Sequence, residues 1–371
     1  MRNSSLVTGE GKLEKLFEHK NFPVFIGCTD QAPEKDLVAD MCWMICPSSG
    51  MIQLGKLLPL DIVYSEYHSE AVGSIWKRHH GRFCDFLAYY QPSNVLEIGG
   101  SNGYIAKKYT EAHDNVKWKI IEPTPSFSGN EKIAVIKGFF DEKFSMPSNI
   151  DTVVHSHVLE HVYNPNDILK SISGFLEVGQ RHIFSVPNLR EYLARKFTNT
   201  INFEHTYFLT EYFVEYFLAK YGFRVLKKEY FEEHSIFYAT ERTHEKTQVE
   251  LVNHYDEYKE LYDDFIDFYR DEVERLNKLI EMHDGRIYLF GAHIFSQFLL
   301  NMGLYESRID GILDNSPQKI GKRLYGSSLH VFEPSVLSGY DDVMIILKAG
   351  QYQDEVRSQL TTINTKLLIV E

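Results

Sequence analysis

Apolar positions change period along the chain, and each change predicts a different kind of element. Between residue 94 and about residue 242, short apolar runs alternate with amphipathic stretches. NVLEIGG (94–100), VKWKIIEP (116–123), KIAVIKGFF (132–140), DTVVHSHVL (151–159) and RHIFSVP (181–187) read as strands. GYIAKKYTEA (103–112), NDILKSISGFL (166–176) and LTEYFVEYFLAKYG (209–222) read as helices, the last stopped by Gly222. FRVLKKEYF (223–231) and SIFYATER (235–242) read as an antiparallel pair. Strand alternating with helix predicts an α/β unit, a parallel sheet covered on both faces.

The flanks differ. Residues 1–80 hold no sustained period. FPVFIG (22–27) and GMIQLGKLLPL (50–60) read as short strands, and a helix starts near Ser69 on Val72, Ile75, Trp76, His79, Phe83, Phe86 and Leu87. From Leu251 through Tyr258, Tyr262, Phe265, Tyr269 and Leu276 to Ile280, apolar residues recur at helical spacing, as one long helix or two shorter ones. The polar face there is mostly Asp and Glu, which suits a connector and not a basic membrane-surface helix. From Gly285 the alternation returns with RIYLFGA (286–292), IFSQFLLNMG (294–303), IDGILDN (309–315), VMIILKAG (343–350) and LLIVE (367–371). Four parts result: an irregular N-terminal segment (1–80), an α/β core (81–245), a helical connector (246–284) and a smaller Rossmann-like unit (285–371).

Composition narrows the class. The chain has 371 residues, 43% hydrophobic and 25% charged, in keeping with a soluble chain of more than one domain. A net charge of -13 gives no basic face for a nucleic acid. No apolar run is long enough to span a membrane, and Met-Arg-Asn-Ser-Ser opens no signal peptide, so a cytoplasmic location is expected. The four cysteines, Cys28, Cys42, Cys46 and Cys84, include no C-x-x-C pair, and no metal is expected. The spacing of His155, His157 and His161 would scatter them between a strand end and a helix start, which argues against a metal there too.

The first glycine turn carries the chemistry. It reads Glu97-Ile98-Gly99-Gly100-Ser101-Asn102-Gly103. A dinucleotide turn would be G-x-G-x-x-G, with room for a pyrophosphate. Here the spacing is G-x-x-x-G behind an acid, which would repel phosphate and suits a cationic ligand. S-adenosylmethionine has an amino group, a sulfonium and no phosphate, and glycines let the backbone approach it closely. Glu122 ends the second strand, where an acid accepts ribose hydroxyls. Phe139 and Phe140 follow the third strand and offer rings for adenine, and His157 follows the fourth, near the methionine part. In these residues, with LEHVYNP (159–165), the chain resembles the class I S-adenosylmethionine-dependent methyltransferases. The resemblance implies that fold, that cofactor and the binding residues Glu97, Gly99, Gly100, Ser101, Gly103, Glu122, Phe139 and His157. His161 of LEH reads as structural. The second turn, YLFGAHIFS (288–296), places His293 and Ser296 where a dinucleotide turn wants glycines, although Asp314 stands where a ribose contact would.

Glu204 and His205 lie after the fifth strand, beyond its carboxyl end, in a segment too polar for core. His205 is a candidate base, because its ordinary pKa lies near working pH. The equally simple reading is a loop histidine packed on Phe203 and Tyr207.

FEH (203–205), DNSPQKIGK (314–322) and YSEYHS (64–69) extend the resemblance over nearly the full length, to the sugar nucleotide C-methyltransferases that act on 4-keto-6-deoxysugars. That family implies a sugar nucleotide substrate, Glu204 and His205 at the active site with the histidine as base, and Tyr67 or Tyr64 nearby. It also implies an N-terminal zinc held by four cysteines. This chain departs there: CPSSG follows Met44-Ile45, with Ser49 where a second cysteine is expected. The rival readings are methylation at oxygen or nitrogen of a related sugar or glycan precursor, an NAD-dependent oxidoreductase using the second turn, and a non-catalytic cofactor-binding partner. Oligomeric state is not legible.

Overall fold

The computed structural model describes residues 2–63, 74–141, 144, 149–244, 249–348 and 353–371. Residues 14–54 are more regular than their pattern predicts. β1 (Glu14–Pro23), β3 (Val38–Ile45) and β4 (Ile52–Leu54) form an antiparallel sheet in the order β1-β3-β4, and β2 (Cys28–Thr29) pairs elsewhere. Register shifts between Lys15 and Phe17 and between His19 and Phe22 interrupt the two-residue alternation of β1, so the strand leaves no clean signature in the sequence. Trp43 of β3 is fully buried edge-on against Phe208, 4.9 Å between centroids, and seats this sheet on the α/β core. A single turn α1 (Leu60–Val63) and the helix α2 (Ser74–Ala88) follow. Tyr64, Tyr67 and the rest of YSEYHS lie outside the described residues.

The core contains β5 (Asn94–Ile98), α3 (Tyr104–Ala112), β6 (Lys117–Glu122), β7 (Ile133–Lys137), β8 (Thr152–Ser156), α4 (Pro165–Phe175), β9 (Arg181–Pro187), α5 (Leu189–Ala194), α6 (Glu211–Lys220), β10 (Phe223–Phe231) and β11 (Ser235–Arg242). The seven strands form one sheet in the order β10-β11-β9-β8-β5-β6-β7, with β11 antiparallel to both its neighbours. Chain order reverses at β5, between β6 and β8. A crevice opens there, beyond the carboxyl ends of the strands.

The connector is one helix, α7 (Tyr255–Met282), 28 residues and about 42 Å long. Its face of Tyr258, Tyr262, Phe265, Ile266, Tyr269, Val273, Leu276 and Ile280 is buried. The last unit holds β12 (Arg286–Phe290), α8 (Ile294–Asn301), β13 (Gly311–Leu313), β14 (Arg323–Leu324), β15 (Val331–Phe332), β16 (Val343–Leu347), α9 (Gln353–Ile363) and β17 (Leu368–Val370). Its five-stranded sheet is parallel, in the order β15-β13-β12-β16-β17. β14 leaves it to pair with β2, and there the buried Arg323 grips Asp36 through two 2.7 Å bonds. One continuous apolar core runs from the N-terminal sheet through α4, α6 and α7 into β12 and β16. The α/β core and the last unit are therefore packed against each other. Among the described residues no helix is long and apolar enough to cross a membrane.

Several histidines are buried as neutral rings. His182 touches His155 across β8 and β9, Nε2 to Nε2 at 2.9 Å, and His19 meets Asn301 at 3.0 Å. Burial lowers His182 to about 3, and His19 and His293 to about 4. In the unfolded chain each takes a proton near 6.5. Their contribution is complete above that value and is lost as pH falls toward 4 and then 3. The melting temperature is expected to fall steeply from pH 6.5 to 4 in differential scanning calorimetry, and His182→Gln should flatten that slope.

Candidate active site

The glycine turn after β5 is shaped by its own neighbours. Gly99 and Gly103 have φ of +73° and +70°, a region open to glycine. A β-carbon on Gly99 would stand 2.7 Å from Cγ2 of Val158, and one on Gly100 would stand 2.6 Å from Cγ2 of Ile120. The turn is tight because the loop after β8 and the strand β6 press on it, so the glycines serve packing as well as access for a ligand. Ser101 N–H donates to Glu122 at 3.0 Å, and Thr124 N–H donates to the other carboxylate oxygen at 3.1 Å. Glu122 thus pins the turn while lone pairs on both oxygens remain for ribose hydroxyls. Glu97 is buried and accepts from Trp118 Nε1 at 2.7 Å; burial pushes its carboxyl up to about 7. The sequence reads it as an anion for a cationic ligand. Near neutral pH it is instead shared between charged and protonated forms, and a bound cation would favour the carboxylate.

Glu97, Gly99, Gly100, Ser101 and Glu122 line one cavity of about 1700 Å³, larger than an ordinary small-ligand pocket, whereas Gly103, expected at the cofactor, lies off it with Phe127 close above its α-carbon. Phe139 is 45% exposed in its wall, while Phe140 turns into the core against Phe175. His157 lies on the opposite side with φ of +54°, its backbone N–H bonded to Ser185 O. This set fits S-adenosylmethionine: glycine backbone for the methionine portion, Glu122 for ribose, Phe139 for adenine. Glu122→Ala is expected to weaken its binding by ~1–3 kcal/mol, the range for a hydrogen bond to a charged group, measured by calorimetry.

Farther along the cavity two segments are stitched together. Thr206 N–H donates to Glu160 O at 3.1 Å, and Thr206 Oγ1 donates to Val162 O at 2.8 Å. Asn202 Oδ1 accepts from the N–H groups of Glu204 and His205 at 2.9 and 2.8 Å and fixes the turn that presents them. Glu160, His161, Glu204 and His205 are brought together as a result. His161 Nε2 is 3.8 Å from Glu160 and its Nδ1 is 3.8 Å from Glu204, while the His161 and His205 rings meet edge-on at 4.9 Å. Glu160 is fully buried and pushed to about 7 by that burial; its carboxylate faces His157 Nδ1 at 3.3 Å as well as His161, with neither contact in hydrogen-bond geometry. Burial lowers the pKa of His205 to about 3, which keeps its ring neutral at pH 7 but sets it far from the working pH that recommends it as a base from sequence; it holds a proton only where nearby carboxylates favour the charged form. Its Nδ1 is enclosed without a hydrogen-bond partner among the described residues. His161, which reads from sequence as structural, is half-buried and lines the cavity beside His205. Glu160 was missed altogether. No local spacing marks either residue, because they reach Glu204 and His205 only through the fold.

The zinc implied for the N-terminal segment does not fit. Cys42 Sγ lies against Met44 Sδ, Cys28 Sγ against Ala292 O, and Cys46 Sγ against Ser48 Oγ. Among the described residues no cysteine belongs to a cluster of metal-ligating side chains. At the second turn Gly291 has φ of +101°, and Asp314 is already taken by Ala292 N–H and Lys319, each at 2.9 Å. A dinucleotide ribose would have to displace them.

A family model described as a methyltransferase domain matches residues 75–228, and one described as a C-methyltransferase C-terminal domain matches residues 225–367. No curated protein matches the chain. Solved structures with a similar course include the S-adenosylmethionine-dependent methyltransferase SibL (16% identity, 45% of this chain and 56% of that one, TM-score 0.38). Another is an S-adenosylmethionine-dependent methyltransferase from Mesorhizobium loti (13% identity, 46% of this chain and 99% of that one, TM-score 0.37). A third is the riboflavin-analogue dimethyltransferase RosA from Streptomyces davawensis (16% identity, 45% and 56%, TM-score 0.39). This chain spans a little over half the length of SibL and of RosA. One model covers the sheet that carries the glycine turn and the other covers the unit that walls its cavity, so the chain carries a methyltransferase domain with the class I Rossmann-like fold of the S-adenosylmethionine-dependent methyltransferases.

Proposed function

We propose that the acceptor is a carbon beside a ketone in a sugar nucleotide, in deoxysugar or surface-glycan biosynthesis. One observation carries this reading: a single cavity links the cofactor residues, the His161–Glu204–His205 group and the unit matched as a C-methyltransferase C-terminal domain. Its far end is lined by Arg195, Lys196, Lys319 and Lys348, cations suited to a diphosphate even though each now faces a carboxylate. Its volume accommodates a cofactor and a sugar nucleotide side by side.

The chemistry follows from the side chains. A carbon acid beside a ketone needs a base in place and a donor for the oxygen that becomes an enolate. Neutral His205 is the base, reached directly or through His161. Glu204 and Glu160 stabilise the imidazolium that forms. Tyr67 or Tyr64 is the donor to the enolate oxygen. S-adenosylmethionine, when bound, supplies an electrophilic methyl group. Holding the acceptor carbon in line with that group accounts for much of the rate.

The test is incubation with S-adenosylmethionine and a panel of 4-keto-6-deoxy nucleotide sugars, followed by mass spectrometry and NMR of the product. A gain of one methyl on carbon is expected. A methyl on oxygen or nitrogen, or turnover only with other glycan precursors, would replace the carbon reading and keep the methyltransferase.

A further inference from the structure

In the wall of the same cavity lies a second group of histidines, assembled from three distant places, with His157 and His234 on its surface. His79 comes from α2, His157 from the turn after β8, and His234 from the turn between β10 and β11. One ligand atom from each lies within 4.8 Å of the other two. Their ring centroids are 5.2 Å (His79 to His157), 5.4 Å (His157 to His234) and 5.6 Å (His79 to His234) apart. With metal–nitrogen distances of about 2.0–2.1 Å and tetrahedral angles, imidazole centroids around one ion fall about 5 Å apart. Three rings packed for apolar contact alone have no reason to place a nitrogen each in a common space.

His79 makes the stronger point. Its side chain is fully buried, and neither ring nitrogen has a hydrogen-bond partner among the described residues. A neutral imidazole carries one donor and one acceptor, and burying both unmet costs stability. A metal ion satisfies the bare nitrogen. The other two rings are oriented from behind. His234 Nδ1 is 2.6 Å from Ser235 Oγ, which leaves its Nε2 free of that bond. His157 Nδ1 faces the buried Glu160 carboxylate at 3.3 Å. A carboxylate behind an imidazole is the arrangement that fixes the tautomer and raises the basicity of a metal-bound histidine. His157 Nε2, 2.8 Å from the same Ser235 Oγ, would exchange that hydroxyl for the ion. Trp76 walls the group, 4.9 Å from His157 and 4.7 Å from His234.

We propose that His79, His157 and His234 bind one divalent first-row metal ion, zinc by preference, in a tris-imidazole site beside the cofactor cavity. Imidazole ligands and a tetrahedral arrangement favour zinc, and three protein ligands leave a fourth position for water or an oxygen of a bound molecule. The ion would tie α2, the turn after β8 and the β10–β11 turn together on the side of the cavity where His157 stands. The site shares no ligand with the cysteines or with the Glu160–His161–His205 group, which it meets only where Glu160 faces His157, and it does not depend on the identity of the acceptor.

The test uses the full chain, stripped with chelator and titrated with Co²⁺ and then Zn²⁺. One Co²⁺ per chain is expected, with the weak visible bands of a tetrahedral nitrogen site and without the intense charge-transfer band of a thiolate. Zn²⁺ should displace it and raise the melting temperature. His79→Ala and His234→Ala should each lose the bands, while His161→Ala and Cys46→Ser keep them. No uptake by the wild-type chain overturns the proposal, and this result needs no variant to fold. A thiolate band, or bands that survive in His79→Ala and His234→Ala and vanish in His161→Ala, also overturns it.

Discussion

His205→Ala is expected to lose at least ~100-fold in turnover, the lower end for removal of a general base, with calorimetric affinity for S-adenosylmethionine close to wild type. The two measurements separate because the residues that fit the cofactor stand at the glycine turn, while His205 hangs from the Asn202 turn farther along the cavity. A purely structural histidine would give the opposite pattern, lower stability with turnover per folded molecule unchanged. The carbon reading adds a sharper outcome. With a non-methylating cofactor analogue bound, the wild type should exchange the substrate proton beside the ketone with deuterated water, and His205→Ala should not. His161→Ala discriminates the two routes to the base. If the proton passes through His161, exchange falls in both variants; if His205 takes it directly, exchange persists in His161→Ala. Methylation without exchange in the wild type would remove the carbon reading.

The parts of this molecule that sequence made legible are those where chemistry and period coincide. β5 is three apolar residues interrupted by one acid and followed by two glycines, and its neighbours repeat the theme, so the sheet and the glycine turn are readable together. α7 was readable because its buried face recurs every third or fourth residue over 28 positions. β1 was not, because its bulges break the period on which reading depends. The acid-base group was half readable. Glu204 and His205 are adjacent in the chain, but Glu160 and His161 join them only through bonds made by Thr206. The three histidines of the proposed metal site lie on separate elements, and His79 reads as one more buried position of an amphipathic helix. Spacing within one segment, the usual sign of a metal site, has nothing to register there.

Gly99→Val is expected to abolish detectable binding of S-adenosylmethionine. From the sequence alone the reason would be that a branched side chain fills space the ligand needs. The geometry places a different cost first. At φ of +73° a β-branched residue is strained by roughly 1–3 kcal/mol before it meets anything. Its β-carbon then lies 2.7 Å from Cγ2 of Val158, closer than two carbons approach, and valine adds two methyl groups beyond that. Either the glycine turn moves or the loop after β8 moves, and both carry residues expected to hold the cofactor: Ser101 is held to Glu122, and His157 precedes Val158. The turn therefore loses its alignment with Glu122 even where the fold survives. The two explanations separate in a double variant. Val158→Ala removes the methyl that Gly99→Ala would strike, so Gly99→Ala should bind the cofactor better in the Val158→Ala background than alone. Loss that is identical in both backgrounds would show that the ligand itself, and not the packing of the turn, excludes a side chain at position 99.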